Sequence, residues 1–206
     1  VRNSAISIQA GAGQIRAIGR QVGVADSAKT LDAIRNAISK MQAETSMADL
    51  RSVARALKGE VPQNATPQAF IISSIAGGSG AGMFMDVAEL LKRATAQNWA
   101  QEAIAFLYTA EVFSSIGAAG KDVSKNSLGA MNELVASKWV GISERSETLY
   151  SKLGLTSGNS AGKREYGCKG NFLIGARNDQ NTDIRVGVDG EGMDEVFLTV
   201  GEALAG

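Results

Sequence analysis

Histidine is absent from all 206 residues. A Ser-His-Asp triad, a histidine-ligated zinc and a histidine general base are thereby excluded. Cys168 is the only cysteine, so no internal disulfide can form, and a reducing, cytoplasmic setting is expected. Charge of one sign is lacking too: 21 basic residues balance 21 acidic ones. At the level of the whole chain this leaves no electrostatic footprint for nucleic acid and no polybasic membrane anchor. The longest weakly polar stretch, Ala69 to Met85, is interrupted by Gly77, Gly78, Gly80 and Gly82, so it is no membrane span. The chain opens on Val1 without a basic n-region or a cleavage-site pattern, and no targeting peptide is visible. The missing initiator methionine suggests a fragment or a processed product.

Apolar residues make up 44% and charged residues 20%, the balance of a folded domain rather than of a disordered chain. The length suits one domain with a sizeable core. Glycine is the outlier, with 24 residues against a usual ~7%. Many glycines follow apolar runs, where tight turns or close backbone approach need them.

The periodicity alternates between strand and helix. Ser4 to Gln9 reads as a short strand that runs into Ala10-Gly11-Ala12-Gly13, with a helix through Arg16 and Ile18 after it. Leu31, Ile34, Ile38 and Met41 recur on one face of a helix from Ser27 to Gln42, capped by Asp26 or Ser27. A second amphipathic stretch runs from Met47 to Leu57, followed by a polar connection that holds both prolines, Pro62 and Pro67. Ala69 to Ile75 reads as a strand buried on both faces. After its glycine-rich loop, Phe84, Val87, Ala88 and Leu91 line a helix. Ala103 to Tyr108 forms a strand that leads to a loop around Glu111. A helix from Val123 to Trp139 follows, with Leu128, Met131, Leu134 and Val135 expected inward. Residues 143–169 read as an exposed, loop-rich excursion with one short helix near Leu149 to Leu153. A strand at Asn171 to Gly175 and a helix from Asp194 to Leu204 complete the pattern. The expected fold is α/β: a Rossmann-like, mostly parallel sheet with helices on both faces.

Chemistry concentrates in the loop Ala76-Gly77-Gly78-Ser79-Gly80-Ala81-Gly82, between a strand and a helix. Glycines there let several N–H groups converge on one phosphate, and the helix N-terminus adds a positive dipole end. Standard motifs fail: no Gly-Lys-Ser/Thr ends the loop, and the sixth position of GxGxxG counted from Gly78 is Met83. A glycine-rich turn that only packs closely is the competing reading. The acidic residues Asp183, Asp189, Glu191, Asp194 and Glu195 miss the EF-hand spacing; those at the start of the last helix are explained by its dipole. Met83, Met85 and Met131 read as core filler.

Ile75 to Gly82 resembles the tubulin/FtsZ signature GGGTGTG or GGGTGSG, with Ala76 in place of its first glycine and Ser79 for its threonine. Gly11 to Arg20 is similar to the FtsZ loop GAGANPEVGR, and Asn126 to Leu134 to the tubulin stretch NATLSVHQL. Asn178 follows its strand where that superfamily places a base-contacting asparagine. The wording is nearest to the bacterial tubulin-like family. The resemblance covers nearly the whole chain and implies a GTPase-domain fold that binds GTP or GDP with Mg²⁺. It implies that Gly77, Gly78, Ser79, Gly80, Ala81 and Gly82 contact the α- and β-phosphates, and that Gly11, Ala12 and Gly13 meet the γ-phosphate. Asn126 and Asn178 would read the guanine and Glu111 would reach the ribose. Helix N-capping by Asn126 and turn formation by Asn178 are the structural alternatives. Arg16 and Arg20 would face either phosphate or, more commonly, solvent. The resemblance further implies self-association into head-to-tail filaments, with hydrolysis completed by the neighbouring subunit. The superfamily's first phosphate loop and its acidic catalytic loop have no counterpart in residues 1–206, so the chain is expected to be the middle of the domain, incomplete at both ends. A scaffold without hydrolysis, or a Rossmann-like enzyme with another nucleotide cofactor, are the alternatives.

Overall fold

The computed structural model describes residues 12–57, 59, 66–114, 123–140, 144–153, 166–183 and 193–205. The expected strand at Ser4 to Gln9, and Gly11, lie outside these. The described elements are α1 (Arg16–Ala25), α2 (Ser27–Gln42), α3 (Glu44–Ala56), β1 (Phe70–Ser74), α4 (Gly78–Ala94), α5 (Asn98–Gln101), β2 (Ile104–Tyr108), α6 (Val123–Trp139), α7 (Glu144–Lys152), β3 (Gly170–Ile174) and α8 (Met193–Ala205).

The strands pair in parallel in the order β1-β2-β3. Because side chains alternate along a strand, Ile71, Ala105 and Leu107 share one face, where they pack with Phe84, Met85 and Ala88 of α4. Phe106, Tyr108 and Ile174 share the other, where Val196 and Val200 of α8 join them. The Tyr108 and Phe197 rings meet edge to face, 4.9 Å between centroids. The fold is thus α/β with helices on both faces of a small parallel sheet.

Helix α4 is the hub. It is buried over most of its surface, between α1, α2, α6 and the sheet. Its first two turns owe their position to missing side chains. A Cβ added at Gly19 of α1 would fall on the carbonyl oxygen of Gly78. One added at Gly82 would lie 2.5 Å from the Arg16 carbonyl oxygen and 2.7 Å from the Arg20 nitrogen. Gly80 turns the opposite way, onto the backbone of Ser74 at the end of β1. Small residues at these positions let two helix backbones and a strand touch.

Three expectations need correcting. Strand β1 is not buried on both faces: Phe70 is 44% and Ile72 54% exposed. Among the described residues α8 packs on that face around Tyr108 and Ile174; further along it Phe172 stacks on Phe106 at 5.2 Å and Phe70 lies tilted to Phe106 at 6.0 Å. On α6 the inward residues are Asn126, Ser127, Ala130 and Ser137. Met131 and Leu134 pack partly against the core, whereas Leu128 and Val135 are exposed. Polar side chains that reach loop backbone have taken the inner face from apolar ones. The stretch 143–169, expected as an exposed excursion with one short helix near Leu149 to Leu153, holds α7 there but also the buried residues Tyr150, Tyr166 and Cys168. Residues 154–165 lie outside the described ones.

Two glycine substitutions should move stability in opposite directions. In Gly82→Ala the new methyl meets backbone that cannot rotate away, and urea denaturation should show a loss of about 1–3 kcal/mol. Gly201→Ala, in α8 with open space at its Cβ, should gain about 1 kcal/mol from helix propensity.

Candidate functional site

Parallel strands deliver the turns at their C-terminal ends to one edge of the sheet. Residues 75–77 follow β1 there, 109–114 follow β2 and 175–183 follow β3. A fourth segment, Ala12 to Ile15, joins them because α1 lies against α4. A Cβ at Gly78 would sit 2.6 Å from the Gly13 carbonyl oxygen and 2.8 Å from the Ile15 nitrogen. Two of the sequence-predicted loops therefore meet.

The first of these is a tight turn closed by the Ile15 N–H, which donates to the Ala12 carbonyl at 3.2 Å. Gly13 takes φ +55°, a left-handed conformation suited to glycine, and a Cβ there would meet nothing within 4 Å. In the second, the Ile75 N–H donates to the Tyr108 carbonyl at 2.9 Å. The Ala76 N–H donates to Ser74 Oγ at 3.1 Å, and Gly77 is extended at the N-cap of α4. No side chain caps this helix. Its first-turn amides, at Gly78, Ser79 and Gly80, have no acceptor within the helix, and the dipole end adds positive potential. The Ala81 N–H donates to the Gly77 carbonyl at 3.3 Å. Gly78, Ala81 and Gly82 are buried in the helix packing, whereas Ser79 is exposed. The open side lies at Gly77, where a Cβ would meet nothing within 4 Å.

Other predicted residues brace these turns. Asn126 sits inside the first turn of α6 rather than at a cap. Its Nδ2 donates to the Gln14 carbonyl at 2.8 Å and to the Ala76 carbonyl at 3.0 Å. Ser127 Oγ accepts the Ala110 N–H at 2.9 Å and donates to the Ile75 carbonyl at 3.3 Å. Glu111 spans two strand ends: Oε2 accepts the Ala176 N–H at 3.2 Å and Oε1 pairs with Arg177 Nε at 3.1 Å. Asn178 forms a turn, its Oδ1 accepting the backbone N–H groups of Gln180 and Thr182.

Arg16 and Arg20 are both engaged by groups of the protein itself. Arg16 donates from Nε to the Ala81 carbonyl at 3.2 Å and pairs with Glu133 at 2.6 Å. Arg20 pairs with Asp86 at 3.1 Å and donates to Ser146 Oγ and Tyr166 Oη. The sequence reading missed this cluster. The Tyr150 and Tyr166 hydroxyls both donate to Asp86 Oδ1. One turn further along α4, the fully buried Glu89 accepts from Lys92, Arg93 and the Gly167 N–H. Arg93 lies 4.4 Å over the Tyr150 ring. Two carboxylates one turn apart on an otherwise buried helix were the signal, since buried charges must be paired.

Burial, and then the charge of Asp86, raises both the Tyr150 and Tyr166 phenols well above their ordinary value of 10.0. A group held neutral in the fold but free to ionise in the unfolded chain stabilises the fold below its unfolded pKa. That contribution is lost as pH rises past it. The urea midpoint should therefore fall as pH goes from about 9 to about 11. In a Tyr150→Phe, Tyr166→Phe double variant the fall should be shallower.

Comparison with known proteins bears on what this edge belongs to. No curated protein matched the chain, and no solved structure matched it. A family model described as tubulin-like matches residues 2–194. The match spans almost the whole chain, including both turns and the brace from α6, and the chain belongs to the tubulin-like family.

Proposed function

We propose that this chain is the nucleotide-holding part of a GTP-binding tubulin-like protein, with the oligophosphate seated between the Ala12–Ile15 turn and the N-terminus of α4. One observation carries the reading: the two turns abut, and both present glycine with open space at its Cβ position, Gly13 and Gly77. Amides of Gly78, Ser79 and Gly80 would meet the α- and β-phosphates, with Ala12 and Gly13 nearer the terminal one. Gly11, outside the described residues, stays a proposed contact of the terminal phosphate on the strength of the resemblance alone. Ala81 and Gly82 would contribute by packing α4, not by direct contact.

The base end is less provided for. Both hydrogens of Asn126 Nδ2 are committed to loop carbonyls, so toward a guanine Asn126 has only Oδ1 to offer, as an acceptor. The acceptor of Asn178 is held by its own turn. Glu111 would have to give up the Ala176 amide or Arg177 to reach a ribose. Among the described residues no three acidic or cysteine side chains gather as metal ligands. Mg²⁺ would arrive with the nucleotide, held chiefly by phosphate oxygens and water.

Membership of the tubulin-like family supports head-to-tail assembly of the intact protein, a contact that need not close. Hydrolysis would then be completed at the junction between subunits. A second reading has its own support. Close backbone contacts account for Gly78, Gly80 and Gly82 without any ligand, as in a scaffold that neither holds nor hydrolyses nucleotide.

Gly77→Asp separates the two. An aspartate is a favourable N-cap and has room at this position, so the fold should be kept while its carboxylate repels phosphate. Calorimetric titration with GTP should show affinity reduced at least about tenfold, or 1.4 kcal/mol. Equal affinity for both proteins, or no heat from the unmodified one, would sink the phosphate site. Right-angle light scattering of the intact protein with GTP and with GDP tests assembly, which should follow GTP.

A further inference from the structure

We propose that Asn126 is a positioning residue, a latch whose side-chain amide fastens the Ala12–Ile15 turn to the β1–α4 turn so that both halves of the phosphate site are held as one unit. The inference rests on the phosphate reading above and goes beyond it by assigning Asn126 to the loops.

The geometry is specific. Asn126 is 7% exposed, and its one nitrogen donates to carbonyls of two segments distant in sequence, Gln14 at 2.8 Å and Ala76 at 3.0 Å. Both partners are acceptors, so only the NH₂ end of the amide satisfies them. Aspartate has the same shape but would turn a carboxylate toward two carbonyl dipoles. The next residue, Ser127, ties the Ile75 carbonyl to the Ala110 N–H. The first turn of α6 thus joins the segments before α1, after β1 and after β2. These contacts also explain why polar residues occupy the inner face of α6 at this end. A ligand that draws either turn toward itself must pull on the other turn and on α6.

The test uses the full chain and three probes: GTP, ATP and inorganic tripolyphosphate. Asn126→Ala, which loses both hydrogen bonds, should weaken all three by a common factor of about ten. Ser137→Ala, buried on the same helix away from the turns, should leave all three unchanged. Without ligand, hydrogen–deuterium exchange in the Asn126→Ala protein should rise together over residues 12–19 and 76–81. Loss confined to GTP, with tripolyphosphate unaffected, would make Asn126 a base reader and overturn the latch. So would unchanged exchange at either turn, or an equal effect from Ser137→Ala. If the unmodified chain binds none of the probes the phosphate reading fails, while the exchange experiment still decides the latch. Asn126→Ser, small and neutral and too short to reach both carbonyls, carries the same test should the alanine variant not fold.

Discussion

Where α1 crosses α4 no side chain separates the two backbones. Gly19 lies over the Gly78 carbonyl, and Gly82 lies against Arg16 and Arg20. This contact brings the turn before α1 to the start of α4, although α2, α3 and β1 intervene in sequence. Without it the glycine run would be an ordinary strand-to-helix connection with one open helix end. With it, two turns from distant parts of the chain share one edge, and the inner face of α6 can reach both. Arg16 and Arg20 leave the α1 backbone beside the glycines and bond to the Ala81 carbonyl and to Asp86, so the same crossing is tied by side chains on its flanks.

The second constraint is electrostatic. Asp86 and Glu89 are almost wholly enclosed, which costs several kcal/mol per ion unless partners and hydrogen bonds offset it. The partners come from α1, from α4 itself, from α7 and from the segment just before β3. Those carboxylates therefore fix where α7 and Tyr166 sit. The alkaline weakness expected of Tyr150 and Tyr166 is the other side of this arrangement, since the fold holds their hydroxyls protonated against Asp86.

Much of this was legible in the sequence. Alternating apolar runs and amphipathic stretches placed the three described strands and the main helices, and the glycine run marked the turn after β1. Two signals misled. Leu128 and Val135 followed helical spacing, yet hydrogen bonds from Asn126 and Ser127 to loop backbone decided which way α6 faces; hydrophobic periodicity does not encode such bonds. Phe70 and Ile72 read as core, but burial of the second sheet face depends on what lies over it, and α8 reaches only one end. Glycine itself was ambiguous. The same letter serves packing at Gly19, Gly78, Gly80 and Gly82 and open space at Gly13 and Gly77, and only three-dimensional placement separates the two uses. Arg16 and Arg20 were read as exposed or ligand-facing because their acidic partners lie far away in sequence.

The central claim is that one oligophosphate lies against two abutting turns at once. Its most direct test is the amide spectrum of the ¹⁵N-labelled chain during titration with GTP. The account predicts that the largest shift changes fall together, with a single saturation curve, at Ala12 and Gly13 and at Gly77 through Gly80. Changes at only one of these turns, or centred on another part of the surface, would contradict it.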